Sequence, residues 1–360
     1  MENEKFDLDA FRAQPLPTES EIIANWQGDI EKPIVSVLCN TFNQATYIED
    51  AFRGFLIQKT DFVFEVIVHD DASTDRTSDI VREYAKRYPQ IFKPVIQTEN
   101  QYSQGKKPTL LSSAHAKGEY FALCEGDDFW LDESKLQKQF ECLKDNPKVG
   151  LCFHSAITIN CKTNEQLLSG EYGEKDLLIN LKDIIAKSHG QIMTASTFCK
   201  KEVILKFSEF VESRPWLTVG DIYIHFFGAQ NSGAFYLHET MSVYRIFAVG
   251  SWTSTSNELK QLRHVRARVR SYNELNIITD GRYKKYFHSE NRKWIKIFIL
   301  NRTFSNVNKT LLLKENTQYF NDFECSLLHY ISKFKFIFFA YKIMLKCLRY
   351  LKNLKFNRAV

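Results

Sequence analysis

Residues 124–130 read CEGDDFW, which gathers three carboxylates, Glu125, Asp127 and Asp128, into four positions. The run follows the apolar stretch YFALC (120–124) and precedes two aromatic residues, so the charge sits at the end of what reads as a buried strand. Carboxylates this close repel one another, and coordination of a cation relieves that repulsion. Mg2+ and Mn2+ prefer oxygen ligands, and Mg2+ is commonly held by one or two carboxylates together with substrate phosphates. Glu125 and Asp127, at i and i+2 on an extended turn, face one site. An acid-x-acid pair is common in surface loops, and its place after a buried strand is what gives this one weight. A solvated turn ahead of a helix would account for Asp128 or Asp132 but leaves Asp127 idle.

Two further polar clusters share that kind of position. HDDASTD (69–75) ends the run FEVIVHD (64–70), and NTFNQ (40–44) follows IVSVLC (34–39). Ser73, Thr74 and Asp75 are good helix caps, but a single cap suffices, so Asp70 and Asp71 call for another use. A carboxylate there matches the N3–H donor of a uracil ring. Lys106 and Lys107 could meet phosphate, although a solvated pair is the better reading, and His69, His154 and His189 show no ligand spacing. Trp130 is expected beneath the site and Trp216 at the border of an acceptor cleft.

The elements that position these clusters are short apolar runs at 34–39, 64–70, 93–97 and 120–124, alternating with helical patterns near 46–58, 75–88 and 109–116. Strands without polar alternation are buried on both faces, which predicts a parallel sheet covered by helices. Ligands bind at the carboxyl ends of such strands, where all three clusters stand. A helical pattern follows at 133–146 and a strand at 150–159, while 161–176 is polar and reads as a loop. The second half carries QIMTASTFCKKEV (191–203), a helix at 221–229 and a strand at 233–246; beyond about 252 the pattern is helical and basic.

Composition bounds the rest. The 360 residues are 44% hydrophobic and 25% charged with mean hydropathy −0.33, a globular profile. The net charge of +5 hides an asymmetry, with acids in the first half and Lys, Arg, Phe and Tyr in the last hundred residues. Eight cysteines form no CxxC pair, which suits a reducing cytoplasm. MENEKFDLDAFRAQ at the start lacks the apolar core of a secretory signal, and no run approaches the roughly 18 apolar residues of a membrane span. Within SKFKFIFFAYKIMLKCLRYLKNLKF (332–356), Lys335, Lys342, Lys346 and Arg349 share one helical stripe beside a wide apolar face. That pattern suits a helix lying on an anionic bilayer, with a terminal helix packed on the protein as the alternative. The expected location is the cytoplasm, peripherally on the inner face of the plasma membrane, and nucleic acid is not an expected partner.

VSVLCNTFNQATYIEDAF (35–52), FEVIVHDDASTDRTSDIV (64–81) and KGEYFALCEGDDFWLDESKLQKQ (117–139), in that order and spacing, resemble the nucleotide-sugar-binding half of family 2 glycosyltransferases. The resemblance continues more weakly through TVGDIYIHFFGA (218–229) and FYLHETMSVYRIFAVGSW (235–252). It implies a GT-A fold, an α/β, Rossmann-like, mostly parallel sheet flanked by helices, with a helical C-terminal extension. The expected division is a lead-in over 1–32, a GT-A domain over 33–252 and a basic helical region over 253–360. Within the domain, 33–155 would bind the nucleotide sugar and 156–252 the acceptor.

Carried over by position, the resemblance places Asn40, Thr41, Phe42, Asn43, Asp70 and Asp71 in the nucleotide pocket, with Asp71 on the base. Asp127 would ligate the Mn2+ or Mg2+ that bridges the diphosphate, and Glu125 would approach the ribose or the metal shell. Asp128 joins the nucleotide-sugar site, Arg245 binds the diphosphate or pairs with an acid, and Asp221 is the general base. Two departures stand out. The first acid of the motif is more often Asp, and Phe247 stands where the family often has His. The implied activity is transfer of a sugar, with inversion, from a nucleotide diphosphate donor, UDP-linked by expectation, to a glycan or lipid-linked glycan. The alternative is a catalytically degenerate, nucleotide-sugar-binding partner of a polysaccharide synthase. A dinucleotide-binding dehydrogenase is disfavoured, because NTFNQ contains no glycine.

Overall fold

Four apolar runs form the parallel half of the sheet. β1 (Val35–Thr41), β2 (Phe64–Asp70), β3 (Phe92–Ile96) and β4 (Tyr120–Leu123) pair in the order β3-β2-β1-β4. β2 is buried at every position and β1 at all but Asn40, so both faces need apolar side chains and no alternation survives. This computed structural model describes residues 5–217 and 220–333.

Helices α3 (Ile48–Leu56), α4 (Thr77–Arg87) and α5 (Pro108–Ser113) connect these strands, and two short helices precede them, α1 (Leu8–Ala13) and α2 (Glu19–Ile23). The remaining strands are β5 (Phe129–Trp130), β6 (Leu151–Asn160), β7 (Gln166–Ser169), β8 (Leu177–Ile179), β9 (Phe198–Lys200) and β10 (Ala234–Ile246). They extend the sheet past β4 in the order β9-β6-β10-β5, with β7 on β6 and β8 on β10. β9 runs antiparallel to both β4 and β6, while β10 is parallel to β6. The sheet is therefore mixed, mostly parallel, with helices against it. The polar stretch 161–176, expected as a loop, contains β7, whose four residues pair with β6.

α6 (Lys135–Asp145), α7 (Leu181–Ala186), α8 (Lys201–Glu212), α9 (Asp221–Ala229) and α10 (Trp252–Thr255) complete the first of two units, which divide between Thr255 and Ser256. Its core is strongly aromatic. Phe52 lies 4.9 Å from both Tyr84 and Phe92, and Phe55 meets Trp130 edge-on at 4.8 Å. Gly54 lets β5 approach α3, since a Cβ there would stand 2.7 Å from the Trp130 backbone nitrogen and oxygen.

The second unit is helical, with α11 (Glu258–Ile278), α12 (Lys284–Ile299), α13 (Asn306–Lys314) and α14 (Asp322–Lys333) packed through Leu262, Val265, Phe298 and Leu312. Arg292 and Lys296 of α12 both pair with Glu324 of α14. No helix among the described residues is long and apolar enough to cross a membrane. The stripe of Lys335, Lys342, Lys346 and Arg349 lies outside the described residues.

Candidate active site

β1, β2 and β4 deliver their following loops to one edge of the sheet. The loop after β4 is tied to the one after β1 through backbone: Cys124 N–H donates to Leu38 and Gly126 N–H to Asn40 (3.2 and 3.0 Å). Gly126 is required here, because a Cβ would lie 2.6 Å from Gln44 Oε1 and 2.8 Å from Thr41 Oγ1. The turn thereby presents Glu125, Asp127 and Asp128 with carboxylate oxygens within 4.8 Å of one another. Asp128 is fully buried and Asp127 8% exposed, while the Glu125 carboxylate reaches the surface.

The electrostatics of this trio follow from crowding in a low-dielectric place. Although part of its side chain is exposed, loss of hydration within the turn, then the charges of Asp127 and Asp221, push Glu125 up to about 8. Burial raises Asp127 to about 6, although its own backbone, Arg245 and a hydrogen bond from Gln44 oppose the rise. Asp128 is pushed well up by burial and by its two acidic neighbours. One of its oxygens accepts the Arg245 N–H at 2.7 Å, and the other is buried without a partner.

Such a trio fits a hard divalent cation. It offers oxygen donors only, with no His or Cys in the cluster among the described residues, and one buried carboxylate oxygen, on Asp128, has no hydrogen-bond partner. Phe247 indeed leaves its position without a nitrogen ligand, and its backbone there is left-handed (φ 61°).

Asp221 opens α9 directly behind its N-cap, Gly220. It stands within electrostatic range of the trio, since its charge raises Glu125. Tyr244 reports the same proximity: burial, then Asp128, Glu125, Asp127 and Asp221, push its phenol well up. One turn along α9, His225 shares a hydrogen bond with Thr197 (3.0 Å), and burial lowers it to about 4. Two other acids of this half are placed differently: Glu239 is taken up in an ion pair with Lys138, and Glu212 lies exposed at the end of α8.

The residues expected to line a nucleotide pocket divide. Asn40 has a buried, unpartnered Oδ1, Thr41 donates to Gln44 (2.8 Å), and Phe42 is 37% exposed. Asn43, left-handed at φ 53°, accepts the Thr74 N–H at 2.8 Å and donates its own N–H to Ser73 (2.9 Å). Asp71 orders the loop after β3 by accepting the N–H groups of Gln101 and Tyr102 (2.7 and 3.0 Å).

Three expectations need correction. Asp70 does not line a pocket: it is fully buried and its two oxygens are occupied by the hydroxyls of Ser73 and Ser78. Arg245, 4% exposed, takes the acid-pairing alternative, donating to the Asp127 carbonyl (2.9 Å) and to Asp50 (2.5 Å). Lys107 is not solvated. Its ammonium is buried against the Leu217 carbonyl, whereas Lys106 is exposed.

Gln44, Tyr244 and Asp50 were missed. Gln44 closes the quoted NTFNQ and Tyr244 precedes Arg245, so both adjoined residues already singled out. Asp50 carried a signal of its own, an acid among the apolar positions Ile48, Ala51, Phe52 and Phe55 of α3, all buried. Trp130 is buried as expected, its indole donating to Ala195 (2.9 Å) and its ring facing the buried Lys135 ammonium at 3.9 Å.

Residues 36–201 match the family model described as Glycosyl transferase family 2. That segment, a little under half of the chain, is similar to family 2 glycosyltransferases. The chain is 35% identical over 237 residues to an uncharacterized protein of Mycobacterium tuberculosis, covering 64% of each chain, so it spans less than two thirds of that relative's length. It is 29% identical over 261 residues to GalNAc(5)-diNAcBac-PP-undecaprenol beta-1,3-glucosyltransferase of Campylobacter jejuni, covering 70% of this chain and 79% of that one. The crystal structure of a fragment of S. aureus TarS in complex with UDP superposes with a TM-score of 0.49 at 15% identity, covering 86% of this chain and 91% of that one; the likeness is too loose to carry more. The Glu125–Asp127 turn lies within the matched segment, which ends just past β9.

Proposed function

We propose that this protein transfers a sugar from a nucleotide diphosphate donor to an acceptor hydroxyl, with inversion at the anomeric carbon. The observation that carries the reading is the meeting of two differently sourced acidic groups: the trio after β4, and Asp221 from α9 close enough to shift it. A bound Mn2+ or Mg2+ would supply a Lewis acid that stabilises charge on the departing diphosphate. Asp127 and Glu125 would hold it in their ionised forms. Asn40, Thr41, Phe42 and Asn43 line the nucleoside side. Asp71 retains lone pairs beyond the two it gives to the backbone, enough to accept from a uracil N3–H, which favours a UDP-linked donor.

Asp221 then takes the proton of the attacking hydroxyl. A base opposite the leaving group is what inversion requires, and an acid from the second half of the unit meets that need. A glycan or lipid-linked glycan is the proposed acceptor, supported by the Campylobacter relative, whose name gives an undecaprenol-linked substrate. Residues 256–360 carry 22 Lys and Arg against 7 Asp and Glu, which supports peripheral contact with an anionic membrane. Hydrolysis and transfer from a panel of nucleotide sugars, with and without Mn2+, test the reading. Asp221→Asn should keep donor binding and lose transfer by about 10²–10⁴-fold; transfer within a few-fold of wild type would remove Asp221 from the chemistry.

A further inference from the structure

Helix α1 lies outside the segment that the family model matches, yet it is fastened to the back of the acid motif. Arg12 grips Asp50 with a two-pronged pair, Nε to Oδ1 and Nη2 to Oδ2, each 2.7 Å. Asp50 is 4% exposed and binds Arg245 through the same Oδ2 at 2.5 Å. Arg245 donates its Nη1 to the Asp127 carbonyl and its backbone N–H to Asp128, at 2.9 and 2.7 Å. Its guanidinium is enclosed by the rings of Tyr47 and Phe129, 5.1 and 4.6 Å away. Phe129 follows Asp128 directly, and the α1 side packs Phe11 and Phe6 on it at 4.9 and 5.7 Å. Phe6 is held in turn by a reciprocal pair of 2.9 Å bonds with the Gln166 side chain of β7.

We propose that α1 is a clamp on the metal-binding turn, in which Arg12 and Asp50 are positioning residues that act through Arg245 on the Asp127–Asp128 peptide. The inference rests on the metal reading of that turn. Its physical core is a competition. Arg245 is a permanent cation next to carboxylates that a metal must neutralise, and an Arg free to swing would pair with them itself. Asp50 occupies the guanidinium on the far side, and the fork from Arg12 fixes the plane of the Asp50 carboxylate. Arg245 then binds the motif through a carbonyl and an N–H, leaving the Asp127 carboxylate to the ion.

Calorimetric titration with Mn2+ alone, beside thermal melts, tests the clamp. Asp50→Asn should weaken Mn2+ about tenfold, the lower end of the range in which groups that orient metal ligands act, and Arg12→Met, one contact further from the turn, about threefold. The Arg12 side chain is 44% exposed, so Arg12→Met should fold and carry the test even if Asp50→Asn does not. Arg12→Lys, which keeps one charged donor, should recover part of the loss, and Arg12→Met should add nothing in the Asp50→Asn background. Lowered melting temperatures with Mn2+ affinity within about twofold of wild type would make α1 a structural brace and overturn the clamp. A wild-type chain that binds no Mn2+ would overturn the metal reading and the clamp with it.

Discussion

Two acidic loops leave neighbouring parts of the same sheet and look alike as strings of letters. After β2, Asp70 and Asp71 find donors within the chain: two serine hydroxyls for one, two backbone N–H groups for the other. After β4, Glu125, Asp127 and Asp128 crowd together with one buried oxygen unpartnered, and the protons they hold are retained to unusually high pH. The lesson is that an acid cluster becomes a candidate ligand site by what the chain withholds from it. The first loop is closed upon itself and orders the segment after β3; the second is left incomplete.

Asp127→Asn should produce the largest break in that contrast. Loss of a group that merely orients a ligand costs metal affinity about 10- to 100-fold, so loss of the ligand itself should weaken Mn2+ binding by at least about 100-fold. The fold should survive, since the amide still accepts from Gln44. Calorimetry in Mn2+ with circular dichroism as the control decides it, and unchanged affinity would take Asp127 out of the site.

Titration sharpens the contrast next. The folded values of about 6 for Asp127 and about 8 for Glu125 lie above the ordinary 3.8 and 4.5. Without metal, this pair therefore contributes stability that is whole below the ordinary values and is lost as pH rises through about 6 and then about 8. Metal competes with the same protons, so Mn2+ affinity should climb across that window by up to about tenfold per pH unit for each proton released, and level off above it. Melts with and without Mn2+ should diverge as pH rises. Parallel curves would mean that the trio does not hold the ion.

The closed loop should respond in stability alone. Asp70→Ala removes a fully buried acceptor from the half-buried Ser73 and Ser78 hydroxyls and should cost about 2 kcal/mol. Mn2+ affinity should stay at the wild-type value in urea-free buffer. A large loss of Mn2+ binding in a folded Asp70→Ala protein would erase the distinction between the loops.

What could be read in advance follows the range of the forces involved. β2 spans Phe64–Asp70, the very run that lacked alternation, because burial on both faces is a local property of a strand. The motif turn was legible for the same reason, as charge directly after apolar residues. β9 was not, since three residues inside QIMTASTFCKKEV cannot display a period, and neither were the four residues of β7. Asp70 misled because one partner, Ser73, three residues away, was read as a cap for the next helix, and the other, Ser78, eight away, carried no signal of its own. Arg245 lies 195 residues from Asp50, and nothing local in either segment announces that pairing.

The smallest effect lies in the backbone between the acids of the closed loop and its serine. Ala72 is left-handed at φ 62°, a conformation that costs an L-residue about 1–2 kcal/mol and glycine almost nothing. Ala72→Gly regains that strain but enlarges the freedom of the unfolded chain by about 0.4–1 kcal/mol, so the net gain should be about 0.5 kcal/mol. Asn43, left-handed at φ 53° in the facing loop, is the control. Asn43→Gly relieves less strain, because Asn tolerates this region, and it deletes the oxygen that accepts the Thr74 N–H at 2.8 Å. That change should destabilise by about 1 kcal/mol. Urea midpoints of the two variants should therefore move in opposite directions with unchanged slopes. Movement of both in the same direction would mean that strain does not set the balance at Ala72, and that the two loops are held together by something other than their hydrogen bonds.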